Sequence, residues 1–193
     1  MNKNRRGAHF IEFQSTDKIL LKAVAHALQS NHLIGKRIRQ NPAWNNVYSL
    51  QIGSKEMFKD LKQLGMTVRK SNTLTFPNVP NLYLRHFVRG YFDGDGCVTV
   101  TRYQLAGRKK KSRTILSSFT SGSECFLHKL HLVLKKRAHV GGGSLYFHQG
   151  YRLSFSVRAS HALYRFMYES SAQSICLARK RRIFEKYFGI RYR

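Results

Sequence analysis

The stretch GYFDGDGCVTVT, residues 90–101, brings two carboxylates and three glycines together just ahead of an alternating strand pattern. Asp93 and Asp95 are two of only nine acidic residues, against 35 Lys plus Arg. Gly94 and Gly96 permit backbone angles closed to other residues, so the chain is expected to leave a helix and enter a strand through a tight turn. A carboxylate held at such a turn is fixed and directed outward. That suits a hard divalent cation, which takes oxygen ligands and keeps several waters. A solvated Asp-Gly turn would carry the same residues without chemistry. Cys125, His128 and His131 lie at helical spacing and are a second metal-compatible set. Their simpler reading is a half-buried helix with two solvated imidazoles.

The flanking elements must position these groups. Apolar periodicity predicts a helix over 81–92, NLYLRHFVRGYF, with Asn78 and Pro80 at its start and the strand CVTVTRYQ (97–104) after the turn. Before it come a strand at 8–14, a helix at 15–30, a hairpin of 33–40 with 47–53, and a helix at 54–65 with a glycine stop. After it the same order recurs: strand 114–120, helix 121–139, hairpin 143–149 with 151–158, and helix 159–170. YSLQIGSKEMFKDL sits against YRLSFSVRASHALYRF, and VRKS (68–71) against ARKR (178–181). Such a duplication implies two units related by pseudo-twofold symmetry, with boundaries expected at 1–75 and 76–193. The counterpart of helix 81–95 would lie before residue 8, where the sequence reads MNKNRRG.

A net charge of +26 and a pI near 10.7 call for a polyanionic partner, and nucleic acid is the commonest. A hydrophobic fraction of 42% supports a packed globule rather than a disordered tail. The sequence has no apolar run of transmembrane length and no signal-peptide pattern, so no membrane role is expected. Three cysteines without a CxxC pair argue against a disulfide framework and for an intracellular protein.

The strands alternate in a common sense. Val98 and Val100 oppose Thr99, Thr101 and Tyr103; Tyr48, Leu50 and Ile52 oppose Ser49 and Gln51; Tyr151, Leu153, Phe155 and Val157 oppose Arg152, Ser154 and Ser156. A sheet with one apolar and one polar, basic face can lie in a major groove. Arg37, Arg39, Tyr146 and His148 of the hairpins join the polar set as candidate DNA contacts. The loop AGRKKKSR (106–113), with Arg108, Lys109, Lys110 and Lys111, reads as a grip on the phosphate backbone or as a solvated hairpin tip. ARKRRIFEKYFGIRYR (178–193) reads as a basic helix whose apolar side packs on the body.

LRHFVRGYFDGDGCV (84–98) resembles the signature of the LAGLIDADG homing endonucleases: Val88 to Gly96 fill its nine positions, with Arg89 where the family usually has a small residue. The resemblance extends over about residues 8 to 188. It implies a mixed α+β fold of two pseudo-symmetric αββαββα-type units, each laying an antiparallel sheet on DNA. It implies that Asp95, with Gly94 beside it, binds Mg²⁺, and that Asp93, Gly90 and Gly96 are structural at the turn. It makes Lys70 and Lys180, the lysines of the two RK pairs, the basic residues near the scissile phosphates. The implied activity is site-specific hydrolysis of double-stranded DNA, as encoded by a mobile intron or intein-like element. The alternatives are a non-cleaving DNA- or RNA-binding protein of the same fold, such as an intron maturase or a transcription regulator, and a ribosomal protein.

Cutting two strands takes two acids, and none of the other acids (Glu12, Asp17, Glu56, Asp60, Glu124, Glu169, Glu185) stands at a comparable turn. Three readings follow: a first signature helix upstream of residue 8 in a longer chain, a homodimer through helix 81–95 that unites two copies of Asp95, or a protein that only binds.

Overall fold

The structure, a computed structural model, describes residues 1–3, 7–41, 43, 45–66, 74–104, 106–107, 109, 111–169 and 175–190. The chain divides into two compact units, Met1–Lys70 and Ser71–Arg193.

In the first unit the strands are β1 (Asn2–Lys3), β2 (His9–Ser15), β3 (Ile34–Arg37) and β4 (Val47–Gly53), and the helices are α1 (Lys18–Ala27) and α2 (Lys55–Gln63). The sheet runs β1-β2-β4-β3, all pairs antiparallel. Asp17 caps α1, its carboxylate accepting from the Ile19 and Leu20 amides at 2.9 and 3.2 Å. Ser54 caps α2 in the same way through the Met57 amide. Leu21 and Ala25 of α1 close on Leu50 and Ile52 of β4, with Phe13, Val24, Ile34 and Tyr48 packed around them.

In the second unit α3 (Asn81–Asp95) leads into β5 (Gly96–Tyr103) and β6 (Ser112–Ser121). Then follow α4 (Glu124–Arg137), β7 (Ser144–Phe147), β8 (Tyr151–Phe155), α5 (Val157–Tyr168) and α6 (Ala178–Phe188). Its sheet runs β5-β6-β8-β7, again antiparallel throughout. The strand order matches that of the first unit, with β1 in the place of β5. Each unit also carries a helix between its second and third strands and another after its fourth.

The second unit holds the larger core. Leu84, Val88 and Phe92 recur every fourth residue along α3, and each is at most 2% exposed. That stripe meets Ile115 and Phe119 of β6, and Phe184 of α6 completes the aromatic packing around Phe92. Burial of this stripe fixes the axis of α3 against its own sheet, and so fixes where the helix ends.

Candidate metal and nucleic-acid site

The turn expected at 93–96 is not a left-handed turn. Helix α3 continues through Asp95, with Gly90 and Gly94 inside it, and Gly96 is extended at φ −83°, ψ 162°. Glycine at 96 answers a contact instead: a Cβ there would fall 2.5 Å from both Cδ2 and the carbonyl oxygen of Phe92. A Cβ at Gly90 or Gly94 would meet nothing within 4 Å, because both lie on an open face of α3.

The two acids of the stretch part ways. Asp93 is buried, accepting from the Tyr168 hydroxyl at 3.2 Å and the Leu177 amide at 2.8 Å. Asp95 is exposed, and its carboxylate makes no hydrogen bond or ion pair to any described residue. One carboxylate is committed to the fold, and the other is free for a ligand. Tyr91, one turn before Asp95, donates to the Thr120 carbonyl at 2.7 Å, and burial pushes its hydroxyl up to about 12, so it stays neutral.

Lys180 does not stand free beside this carboxylate. It is 5% exposed, and its ammonium donates to the carbonyls of Phe92 (2.8 Å), Asp93 (2.8 Å) and Gly96 (2.6 Å). These three bonds use all its donors, so the side chain expected near a phosphate is committed to the end of α3. Burial pulls its ammonium down from the ordinary lysine value, and Arg179 adds to that, while Asp93 opposes it. Burial likewise pushes the Asp93 carboxyl up, against the Leu177 amide, the Tyr168 hydroxyl, Lys180 and Arg89. Lys70, its expected counterpart, lies outside the described residues.

Arg89, the bulky departure from the signature, is 4% exposed. Its Nε donates to the Ile175 carbonyl at 2.9 Å, its Nη1 to the Met167 carbonyl at 3.1 Å, and its Nη2 to Nδ1 of His86 at 2.8 Å. Arg89, Asp93 and Lys180 thus bind the end of α5, the residues before α6 and α6 itself to one side of α3.

Pairing registers place the polar residues. On the outer face of the second unit's sheet, Cys97 lies opposite Ser118, Thr99 opposite Leu116, Thr101 opposite Thr114 and Tyr103 opposite Ser112. Ser118 in turn faces Ser154, Thr120 faces Arg152, and Arg152 faces Tyr146. Thr99, Thr101, Tyr103, Tyr146, Arg152 and Ser154 therefore share one face. Ser154 is covered there, only 9% exposed, with its hydroxyl 3.1 Å from that of Tyr146. Ser156 lies beyond β8 at the start of α5, and His148 is exposed in the β7–β8 turn. Val100, assigned to the apolar face, is 40% exposed. Thr114, Ser118 and Thr120 of β6 join that face together with the apolar Leu116; adjacent Ile115-Leu116 and Ser117-Ser118 break the alternation, so only the pairing register reveals it.

On the first unit's sheet, Ser49 and Gln51 of β4 share a face with Arg37 of β3, and with Gln14 and Glu12 of β2. Arg39 is exposed beyond β3. Lys109 and Lys111 are exposed in the β5–β6 connection, whereas Arg108 and Lys110 lie outside the described residues. Cys125 and His128 are exposed on α4, and Nε2 of His131 lies 2.6 Å from the Gly142 carbonyl. Among the described residues no group of three His, Cys, Asp or Glu side chains could hold a metal. Asp95 alone fits a cation that completes its shell with waters and phosphate oxygens, as Mg²⁺ does, and does not fit an all-protein cage. No helix of the described residues is long and apolar enough to cross a membrane.

No protein-family model matches the chain, and no curated protein sequence matches it. Solved structures do. The LAGLIDADG meganuclease I-AabMI bound to uncleaved DNA is 13% identical at a TM-score of 0.60, over 95% of this chain and 80% of that one. The homing endonuclease I-WcaI bound to its DNA recognition sequence is 14% identical at 0.59, over 95% and 78%. I-SmaMI on an uncleaved DNA target with calcium ions is 12% identical at 0.52, over 80% and 72%. The chain has the LAGLIDADG endonuclease fold, in agreement with the resemblance of residues 84–98.

Proposed function

We propose that this protein binds double-stranded DNA through the polar faces of its sheets and hydrolyses a phosphodiester bond with a divalent cation held by Asp95. The observation that carries the reading is the split between the two acids: Asp93 is buried in hydrogen bonds, while Asp95 is exposed at the very end of a helix anchored in the core. Residue 96 then begins β5, so the carboxylate sits at the head of a strand whose outer face is Cys97, Thr99, Thr101 and Tyr103. DNA lying on that face would pass its backbone by Asp95. A bound Mg²⁺ would there neutralise charge developing on a phosphate and lower the pKa of a coordinated water. The protein's part is to hold Asp95 still, to supply the polar face that orients the duplex, and to attract it with a charge of +26.

One acid makes half a site. A second copy packed through the open face of α3, where Tyr83, His86, Gly90 and Gly94 are exposed, would bring a second Asp95 and so both strands. A single copy would nick. The second reading is a protein that binds DNA without cutting, favoured by the count of acids: of nine, Asp95 alone is both exposed and at the end of a helix that opens a sheet.

The test is incubation with a randomised duplex library and Mg²⁺, followed by sequencing of cut ends. Wild type should leave ends at a preferred sequence, and Asp95→Asn should leave none while still retaining duplex in a gel shift. Retention without ends from wild type would support the binder.

A further inference from the structure

Three bonds of Lys180 bracket Asp95. Its acceptors are the carbonyls of Phe92 and Asp93, before that residue, and of Gly96, after it, at 2.6–2.8 Å from one nitrogen. A helix end leaves its last carbonyls without intrahelical partners. Here the Gly96 amide still donates to the Phe92 carbonyl, but Gly96 itself is extended, so the left-handed glycine that usually brings in the further amides is missing. The ammonium takes that role, at the end of the helix dipole where a cation is favoured. The backbone on both sides of Asp95 is thereby tied to one atom.

That atom is itself held. The Leu177 amide at the start of α6 donates to Asp93 at 2.8 Å, the Lys180 amide donates to the Leu177 carbonyl at 2.9 Å, and Nζ lies 5.5 Å from the ring centroid of Phe92. With its donors filled and 5% of its surface exposed, Lys180 cannot reach a phosphate without dismantling the end of α3.

We propose that Lys180 is a positioning residue, which sets the affinity of the Asp95 carboxylate for a divalent cation by fixing the backbone around it and makes no contact with the scissile phosphate. This rests on Asp95 as the cation ligand. Lysine is suited to the task because its donors radiate from one nitrogen. The flat fork of arginine spreads them and cannot converge on the same three carbonyls.

The test is Mn²⁺ binding to the full chain with a duplex, followed by the loss of free-Mn²⁺ EPR signal, for wild type, Asp95→Asn, Lys180→Met and Lys180→Arg. Circular dichroism and thermal melts establish which variants fold. Lys180→Arg keeps the charge and guards against a Lys180→Met chain that does not fold. The expected result is that wild type binds Mn²⁺, that Asp95→Asn does not, and that a folded Lys180→Arg binds at least about tenfold more weakly with duplex affinity unchanged. Where cleavage is measured, its half-maximal Mg²⁺ concentration should rise by a similar factor in Lys180→Arg. Wild-type Mn²⁺ affinity in that variant would overturn the positioning role and leave Asp95 as ligand intact. Wild-type binding equal to that of Asp95→Asn would overturn the ligand assignment, and the inference with it.

Discussion

Glycine plays opposite parts at two neighbouring positions. At Gly96 a methyl group would press on the fully buried Phe92 ring and its carbonyl, while at Gly94 it would enter open space on a helix. Gly96→Ala should therefore destabilise by roughly 1–3 kcal/mol, the usual cost of overpacking. Gly94→Ala should be neutral or stabilise by up to about 1 kcal/mol, through better helix propensity. Urea unfolding of both variants checks the pair, and equal effects would contradict the contacts. His86 offers a pH handle. Burial, and then Arg89 and Arg85, hold its imidazole below the ordinary value of 6.5, and Nδ1 accepts from Arg89 only while unprotonated. The unfolded chain takes up that proton first as the pH falls, so this contribution to stability is complete above about 6.5 and lost below it. The melting temperature should drop between pH 7 and 5, with a shallower drop in His86→Gln; equal slopes would remove His86 as the cause.

At the scale of elements, α3 is both core and scaffold. Its Leu84, Val88 and Phe92 anchor a cluster of nineteen buried residues, whereas the first unit's described cluster has four. Local stability follows buried apolar contact. Amide hydrogen exchange should thus be slowest in α3, β6 and β8, and faster in β2 and β4. Uniform protection across both sheets would show that the two units unfold together. The clamp of Arg89, Asp93 and Lys180 lies within the slow region, which suits a helix end that must not drift.

For the whole molecule, charge and symmetry make separate demands. A chain of +26 that tracks a duplex by its phosphates should lose affinity steeply with salt, with a log–log slope of roughly −0.9 per phosphate neutralised. A flat salt response would exclude that mode of binding. Light scattering with Mg²⁺ and a short duplex addresses the second acid. A protein mass of twice 22.4 kDa is expected if the open face of α3 meets a second copy, and 22.4 kDa if one Asp95 acts alone as a nickase.

Much of this architecture is local and was therefore readable in the chain itself. Strand alternation and helical periodicity are one-dimensional patterns, so the element order from β2 onward, the duplication and the polar faces of β4 and β5 follow from residue spacing, as does the resemblance carried by residues 84–98; β1, two residues long, carries no such pattern. Tertiary structure decided what depends on distant partners. Nothing near Lys180 in sequence announces the carbonyls of Phe92, Asp93 and Gly96, more than eighty residues away. Nothing near Arg89 announces Met167 and Ile175. Gly96 resembles a turn glycine until the Phe92 ring is placed against it. The sequence by itself determined which residues could do chemistry. Packing decided which of them remain free to do it, because a buried polar group must find its partner wherever the fold supplies one.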